Sequence, residues 1–118
     1  MRTHKDLDVW KLAIKLAGDV YQLTEKYPKN EVFGITAQMR RASVSIGANI
    51  AEGAARQSNK EFMQFLYIAL GSASELDTLI EVSQETKLIE LIGLKELQGK
   101  TTQISKMLKG LINNLKSR

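Results

Sequence analysis

Arginine and lysine side chains are the residues of this 118-residue chain best suited to a chemical role, and that role would be phosphate binding. A guanidinium can present two parallel N–H donors to a phosphate, and a lysine ammonium supplies a compact positive charge. The candidate nucleic-acid-binding residues are Arg40, Arg41, Arg56, Lys60, Lys106 and Lys109.

The polar residues around Arg41 also have a structural interpretation. At steps of three or four, Asn49 and Glu52 share a helix face with Arg41 and Arg56. Buried polar groups need partners, and a network of them can fix the register between helices. The candidate structural network is Asn49 and Glu52 with Ser72 and Glu75. The alternative is that Arg40, Arg41 and Arg56 point to solvent or to a pore and contact phosphates.

Catalytic chemistry has little support in the sequence. The only histidine, His4, lies near the N-terminus, so the serines are expected to have no histidine partner for a nucleophilic triad. The absence of cysteine excludes thiolate sites. Glu52 and Glu75 alone make a weak metal-ligand set compared with the Glu and Glu-x-x-His pairs of bundle metal sites. No glycine-rich loop follows a strand pattern. We therefore predict a protein that is not an enzyme and that uses no metal and no cofactor.

The charge is segregated along the chain although its total is only +4. Residues 35–60 carry a net charge of +3, residues 61–92 of −5, and residues 93–118 of +5. One interpretation is that neighbouring helices complement one another electrostatically. The other is a basic surface that binds phosphates.

The elements that must position these residues are predicted to be four helices. Apolar residues recur at steps of three and four over about 6–27, 35–56, 59–86 and 94–116. Asp6 is a candidate N-cap, Pro28 stops helix 1, Gly93 marks a boundary, and Ser58 with Glu61 has capping-box spacing. Long amphipathic helices with short connections predict an all-α, antiparallel up-down-up-down four-helix bundle. We expect a single domain over residues 1–118.

Two features of the helices suggest close packing and assembly. Gly47 and Gly53 each cost about 1 kcal/mol of helix propensity relative to alanine, which suggests tight packing or a helix end. Residues 62–70 are apolar almost all round, which is typical of a helix buried on several sides and favours oligomerisation. The second stripe of helix 1, which includes Trp10, faces either the bundle or another subunit. The candidate oligomer-interface residues are Trp10, Tyr21, Phe65 and Tyr67.

Nothing in the sequence predicts insertion into a membrane. No apolar run reaches the length of about 18 residues that a spanning helix needs. The N-terminal residues lack the apolar segment of a signal peptide. We expect a cytoplasmic protein with no membrane partner.

Several motifs resemble those of one known family, the four-helix-bundle proteins first noticed in intervening sequences of bacterial 23S ribosomal RNA genes. The strongest are in predicted helix 2, with weaker matches at the start of helix 1 and along helix 3. The matching segments are Gln38–Ala42, Ser45–Ile46, Asn49–Gly53, Asp6–Trp10, Phe62, Phe65–Leu66, Ala69–Ser72 and Glu75–Leu76. The resemblance covers nearly all of residues 6–115, although helix 4 contributes only a generic leucine rhythm.

The resemblance implies an antiparallel four-helix bundle that assembles into a ring-like homopentamer. The related accessory variability protein of diversity-generating retroelements is also a pentameric bundle, and its basic surface engages nucleic acid and a reverse transcriptase. By analogy we expect a non-enzymatic homo-oligomer that binds RNA or DNA through basic residues of helices 2 and 4. The alternative is a scaffold or adaptor that binds a protein partner without nucleic acid.

Overall fold

Four long helices form an antiparallel bundle in the computed structural model, which describes residues 3–118 apart from the side chain of Leu91. The helices are α1 (Asp8–Thr24), α2 (Ile35–Ala54), α3 (Asn59–Glu85) and α4 (Leu91–Lys116). Short 3-10 turns at His4–Asp6 and Lys29–Glu31 precede α1 and α2. Residues 3–118 contain no strand. The predicted all-α four-helix bundle is therefore confirmed.

The helix termini differ from the prediction where local hydrogen bonds take over. Asp6 is not the N-cap of α1: it closes a capping box with Thr3 around the 3-10 turn, and Leu7 precedes α1 without a side-chain cap. Ser58 does cap α3, accepting from the Glu61 N–H at 3.2 Å. The α3–α4 link turns at Lys87, whose φ is 62°. Because the turn is complete by residue 90, α4 begins at Leu91 and includes Gly93, three residues earlier than predicted.

The core lies along the bundle axis and takes one apolar seam from each helix. Representative residues are Leu16 of α1, Ile46 of α2, Leu76 of α3 and Leu108 of α4, each 1% exposed or less. Burying a side chain of this size stabilises the fold by about 1.5–3 kcal/mol. The bundle measures 46 × 22 × 20 Å, so every helix runs along the long axis and also presents an exposed face.

Helices α2 and α3 approach closely where α2 carries Gly53. A Cβ built at Gly53 would lie 2.7 Å from the Phe65 Cβ and 3.1 Å from the Phe62 carbonyl oxygen. At Gly47 the nearest atom would be the end of the Ile14 side chain, at 3.1 Å. The helix-propensity cost of these glycines is therefore associated with tight packing, which is severe only at Gly53.

Tyr27 closes the end of the bundle and places an unpaired polar group in the core. The residue is 6% exposed, and among the described residues its hydroxyl has no hydrogen-bond partner. The nearby Ser83 hydroxyl donates instead to the Met39 Sδ at 3.5 Å. Burial raises the pKa of Tyr27 above the ordinary 10.0, and hydrogen bonding of the Ser83 hydroxyl to the ionised phenolate offsets part of the rise.

Replacing Tyr27 with phenylalanine should therefore not destabilise the protein at neutral pH, since it removes a buried hydroxyl that lacks a partner. In the wild type, the free energy of unfolding should fall as pH rises above about 10, because the unfolded chain releases the Tyr27 proton more readily. That component of the fall should be absent in Tyr27→Phe. Thermal unfolding between about pH 7 and pH 11 measures both effects. A strong loss of stability at neutral pH would contradict the assignment of an unsatisfied hydroxyl.

None of the helices in residues 3–118 is long and apolar enough to cross a membrane. The apolar residues are instead spread along seams, with charged residues between them.

Candidate nucleic-acid interface

Charge also separates between the two ends of the bundle. Antiparallel packing gathers residues 3–15, 46–72 and 104–118 into one half, with nine basic and four acidic residues. The other half, residues 16–45 and 73–103, has seven basic and nine acidic residues. One half therefore has a net charge of +5 and the other of −2. We refer to the first as the basic half.

An open groove between α3 and α4 has a volume of about 340 Å³ and leads toward this basic half. Its walls carry hydroxyl groups and two of the predicted phosphate-binding lysines. We call it the α3–α4 groove. The hydrogen-bonding and charged residues lining it are Ser74, Asp77, Thr78, Thr101, Thr102, Ser105, Lys106 and Lys109.

Lys106 and Lys109 of the groove lining continue along α4 to Lys116, and we call these three residues the lysine row. Lys106, Lys109 and Lys116 follow one another at steps of three and seven, so they lie on one face of α4 over about 15 Å. All three are exposed. The Lys116 Nζ lies 5.7 Å from the ring centroid of Tyr67, on the neighbouring α3. Ser74 follows Tyr67 by seven residues and Thr78 follows Ser74 by four, so all three share one face of α3.

The lysine row has no carboxylate partner within 4.0 Å among the described residues. Within residues 3–118 the one ion pair joins the Lys100 Nζ to the Asp19 Oδ2 at 2.7 Å, on the α1–α4 side of the bundle. Asp77 is the single carboxylate lining the α3–α4 groove, against Lys106 and Lys109. The groove can therefore attract anions, and the hydroxyl of Ser74 can donate to a phosphate oxygen.

Arg40 is engaged within the bundle and is a structural residue in this fold. Its Nε donates to the Thr24 Oγ1 at 2.9 Å, and an Nη donates to the Tyr21 carbonyl oxygen at 3.4 Å. The guanidinium carbon also lies 4.5 Å from the centroid of the Tyr21 ring. These contacts join α2 to the end of α1. They leave the guanidinium poorly placed for the phosphate contacts predicted for it.

Replacing Arg40 with alanine should lower the free energy of unfolding by about 1–2 kcal/mol, since hydrogen bonds from a charged donor are lost. Arg41→Ala is the matched control: this neighbouring arginine is exposed and makes no side-chain hydrogen bond among the described residues. Its effect should stay within about 0.5 kcal/mol. Urea unfolding of both variants measures the difference. Equal stabilities would contradict the structural role of Arg40.

The remaining predicted basic residues lie apart from the α3–α4 groove. Arg41 lines a separate groove beside α1 with Tyr21 and Val44. The Arg56 guanidinium carbon lies 4.7 Å from the Phe65 ring centroid, and Lys60 is exposed at the start of α3. Arg56 and Lys60 thus belong to the basic half but not to the lysine row. The six predicted residues do not form one site.

The polar network that links α2 to α3 is smaller than predicted. The Asn49 Nδ2 donates to the Ser45 carbonyl oxygen at 2.8 Å and to the Ser45 Oγ at 2.9 Å. The Ser45 and Ser72 hydroxyls are 2.9 Å apart. Glu52 and Glu75 are exposed and take no part, so their assignment to the network is wrong. Carboxylates are costly to bury, and short hydroxyl and amide groups suffice here.

The predicted interface aromatics divide into two pairs. Trp10 is partly buried against its own chain, with its ring centroid 5.1 Å from that of His4. Phe65 is partly buried against Gly53 and Arg56. Tyr21 and Tyr67 remain 43% and 48% exposed. Most of the apolar run 62–70 therefore packs inside the bundle, which leaves Tyr67 and Ile68 as its exposed apolar side chains.

Residues 5–110 match the family model described as 23S rRNA-intervening sequence protein. The chain belongs to this family. The family resemblance seen in the motifs of α2 is thus confirmed. No curated protein matches the chain.

One solved structure extends the similarity to the whole fold. It is the crystal structure of a protein with unknown function from the S23 ribosomal protein family of Bacteroides thetaiotaomicron, 28% identical to this chain with a TM-score of 0.80. The match covers 88% of this chain and 97% of that one. Family membership therefore establishes how the chain folds, and the local chemistry must indicate what it binds.

Lys116 completes the lysine row, and Tyr67 lies beside it. The sequence prediction included neither as a nucleic-acid-binding residue. The step of seven from Lys109 to Lys116 could have identified the lysine, because it keeps the same helix face. Tyr67 could not be added in this way, since its position beside Lys116 depends on the packing of α3 against α4. No cluster of residues suited to a metal ion occurs in residues 3–118.

Proposed function

We propose that this protein is a non-catalytic, self-associating bundle that binds the phosphate backbone of nucleic acid along the α3–α4 groove. The observation that carries the proposal is the row of Lys106, Lys109 and Lys116, exposed on one face of α4 without carboxylate partners within 4.0 Å in residues 3–118. Lysine and hydroxyl contacts to phosphates fix a protein on a nucleic acid without reading its sequence. Binding should therefore be independent of the nucleotide sequence, and its affinity should fall as the salt concentration rises.

Titration of fluorescently labelled RNA and DNA with the protein at increasing salt concentrations tests the proposal. Each phosphate contact should contribute a slope of about −0.9 for a duplex, or about −0.7 for a single strand, in a plot of log K against log salt. Three lysines predict a total of roughly −2 to −3 per protomer. Absence of binding to every oligonucleotide at low salt would refute the proposal.

A second surface supports self-association. Exposed apolar side chains gather beside α1 and the start of α2, where an open groove has a volume of about 580 Å³. Ile14 packs near Gly47, and Tyr21 and Val44 follow toward Phe33, which is 95% exposed. Contiguous apolar surface of this kind is typical of protein interfaces. We propose that a second copy covers it.

Light scattering distinguishes the possible occupants of this surface. Wild-type protein should be oligomeric, and replacing Phe33 and Val44 with serine should shift it toward monomer without changing its helix content. A monomeric wild type would refute self-association. It would favour the alternative function, a scaffold or adaptor that uses the same surface for a different protein.

A further inference from the structure

The aromatic ring at the end of the lysine row points to a preference for unpaired bases. Tyr67 is 48% exposed, and Lys116 lies over its ring at 5.7 Å from the centroid. We propose that Tyr67 stacks with a base of single-stranded nucleic acid whose phosphates follow Lys106, Lys109 and Lys116. This inference rests on the proposed function and names its substrate class.

The surroundings of Tyr67 would permit such stacking. Ile68 is 51% exposed beside it. Gly71, one helical turn further along α3, is exposed, and a Cβ built there would have no atom within 4 Å. A glycine inside a helix costs about 1 kcal/mol, and at Gly71 no packing within the described chain requires it. The missing side chain leaves the surface at Gly71 open.

The chemistry of the lysine row favours a single strand over other anionic polymers. Every base has a π face, so stacking on an aromatic side chain is largely independent of sequence, and a basic groove holds the connecting backbone. In a duplex the bases are already stacked on one another, so Tyr67 would gain no such contact. Ser74 follows Tyr67 on the same face of α3, where its hydroxyl can donate to a phosphate of the strand.

Tyr67→Leu tests the inference, because leucine keeps an apolar side chain and removes the ring. We expect Tyr67→Leu to weaken binding of labelled poly-U and poly-dT by about 5- to 150-fold, the range for loss of one base–aromatic stack. Affinity for a blunt duplex of equal length should change less than twofold. Tyr67→Trp should bind the single strands at least as tightly as the wild type. Comparison of poly-U with poly-dT distinguishes an RNA source from a DNA source.

Val82→Ala provides the control for loss of exposed apolar surface. Val82 is 43% exposed on α3, in the opposite half of the bundle from the lysine row. Its replacement should leave single-strand affinity unchanged. A spectroscopic readout is independent of affinity: bound poly-U should quench the fluorescence of Tyr67→Trp more than that of the wild type, which has only Trp10.

The outcomes separate this inference from the proposed function. Binding of single strands and duplexes with equal affinity, both unaffected by Tyr67→Leu, would overturn the stacking role and leave phosphate binding in place. The absence of added quenching in Tyr67→Trp would also overturn it. Failure to bind any oligonucleotide would instead overturn the proposed function.

Discussion

Replacing Lys106, Lys109 and Lys116 together with glutamine should weaken nucleic-acid binding by about 100-fold at low salt, if each phosphate contact contributes about 1 kcal/mol. The slope of log K against log salt should become shallower by roughly 2 for a single strand, because three fewer counterions are displaced. The three side chains are exposed, so the free energy of unfolding should hardly change. Fluorescence anisotropy at several salt concentrations measures affinity and slope together.

Lys26, Lys87 and Lys95 form the matched control set. All three are exposed, and they lie in the opposite half of the bundle. Replacing them with glutamine changes the net charge by the same amount, so long-range attraction falls equally. Only the first triple variant should lose most of its affinity. An equal loss in both would mean that net charge, and not the α3–α4 groove, governs binding.

Replacing Gly53 with alanine should destabilise the bundle by about 1–3 kcal/mol, the usual range for overpacking a close contact. Alanine gains about 1 kcal/mol in helix propensity over glycine, so the clash must exceed that gain. It should do so because the new Cβ would meet the Phe65 Cβ at 2.7 Å and the Phe62 carbonyl oxygen at 3.1 Å. Neither atom can move without shifting α3 itself. Urea unfolding monitored by circular dichroism measures the change.

Gly71→Ala is the control for this prediction. A Cβ at Gly71 would have no atom within 4 Å, so only the propensity gain should remain. We expect Gly71→Ala to stabilise the protein by about 0.5–1 kcal/mol. The two alanine variants should therefore move in opposite directions from the wild type. A Gly53→Ala variant as stable as Gly71→Ala would show that α2 and α3 are less closely packed than described.

The periodicity of apolar residues was sufficient to predict the four helices and their seams. Leu16, Ile46, Leu76 and Leu108 repeat at helical spacing with their neighbours, and all four are buried. Helix ends were less predictable, because they depend on specific turn geometry. The positive φ of Lys87 lets α4 begin at Leu91. Asp6 forms a capping box with Thr3 and therefore does not cap α1.

The pairing of charged residues was the least predictable property of the chain. Glu52 and Arg56 are at i, i+4, a spacing at which an ion pair could form, but Arg56 lies over the Phe65 ring and Glu52 is exposed. Spacing along one helix shows which residues could meet. It cannot show that an aromatic ring on the neighbouring helix offers a closer contact.

The sequence by itself determined the fold and the family, because both depend on local patterns: apolar periodicity and the motif from Arg40 to Gly53. It also determined which side chains could bind phosphate. Only the tertiary structure decided which of them are available. Antiparallel packing directs Arg40 to Thr24 and Tyr21 of α1, and it places Lys116 beside Tyr67 of α3. These contacts join residues 16 to 49 positions apart, and their geometry is set by how the helices dock.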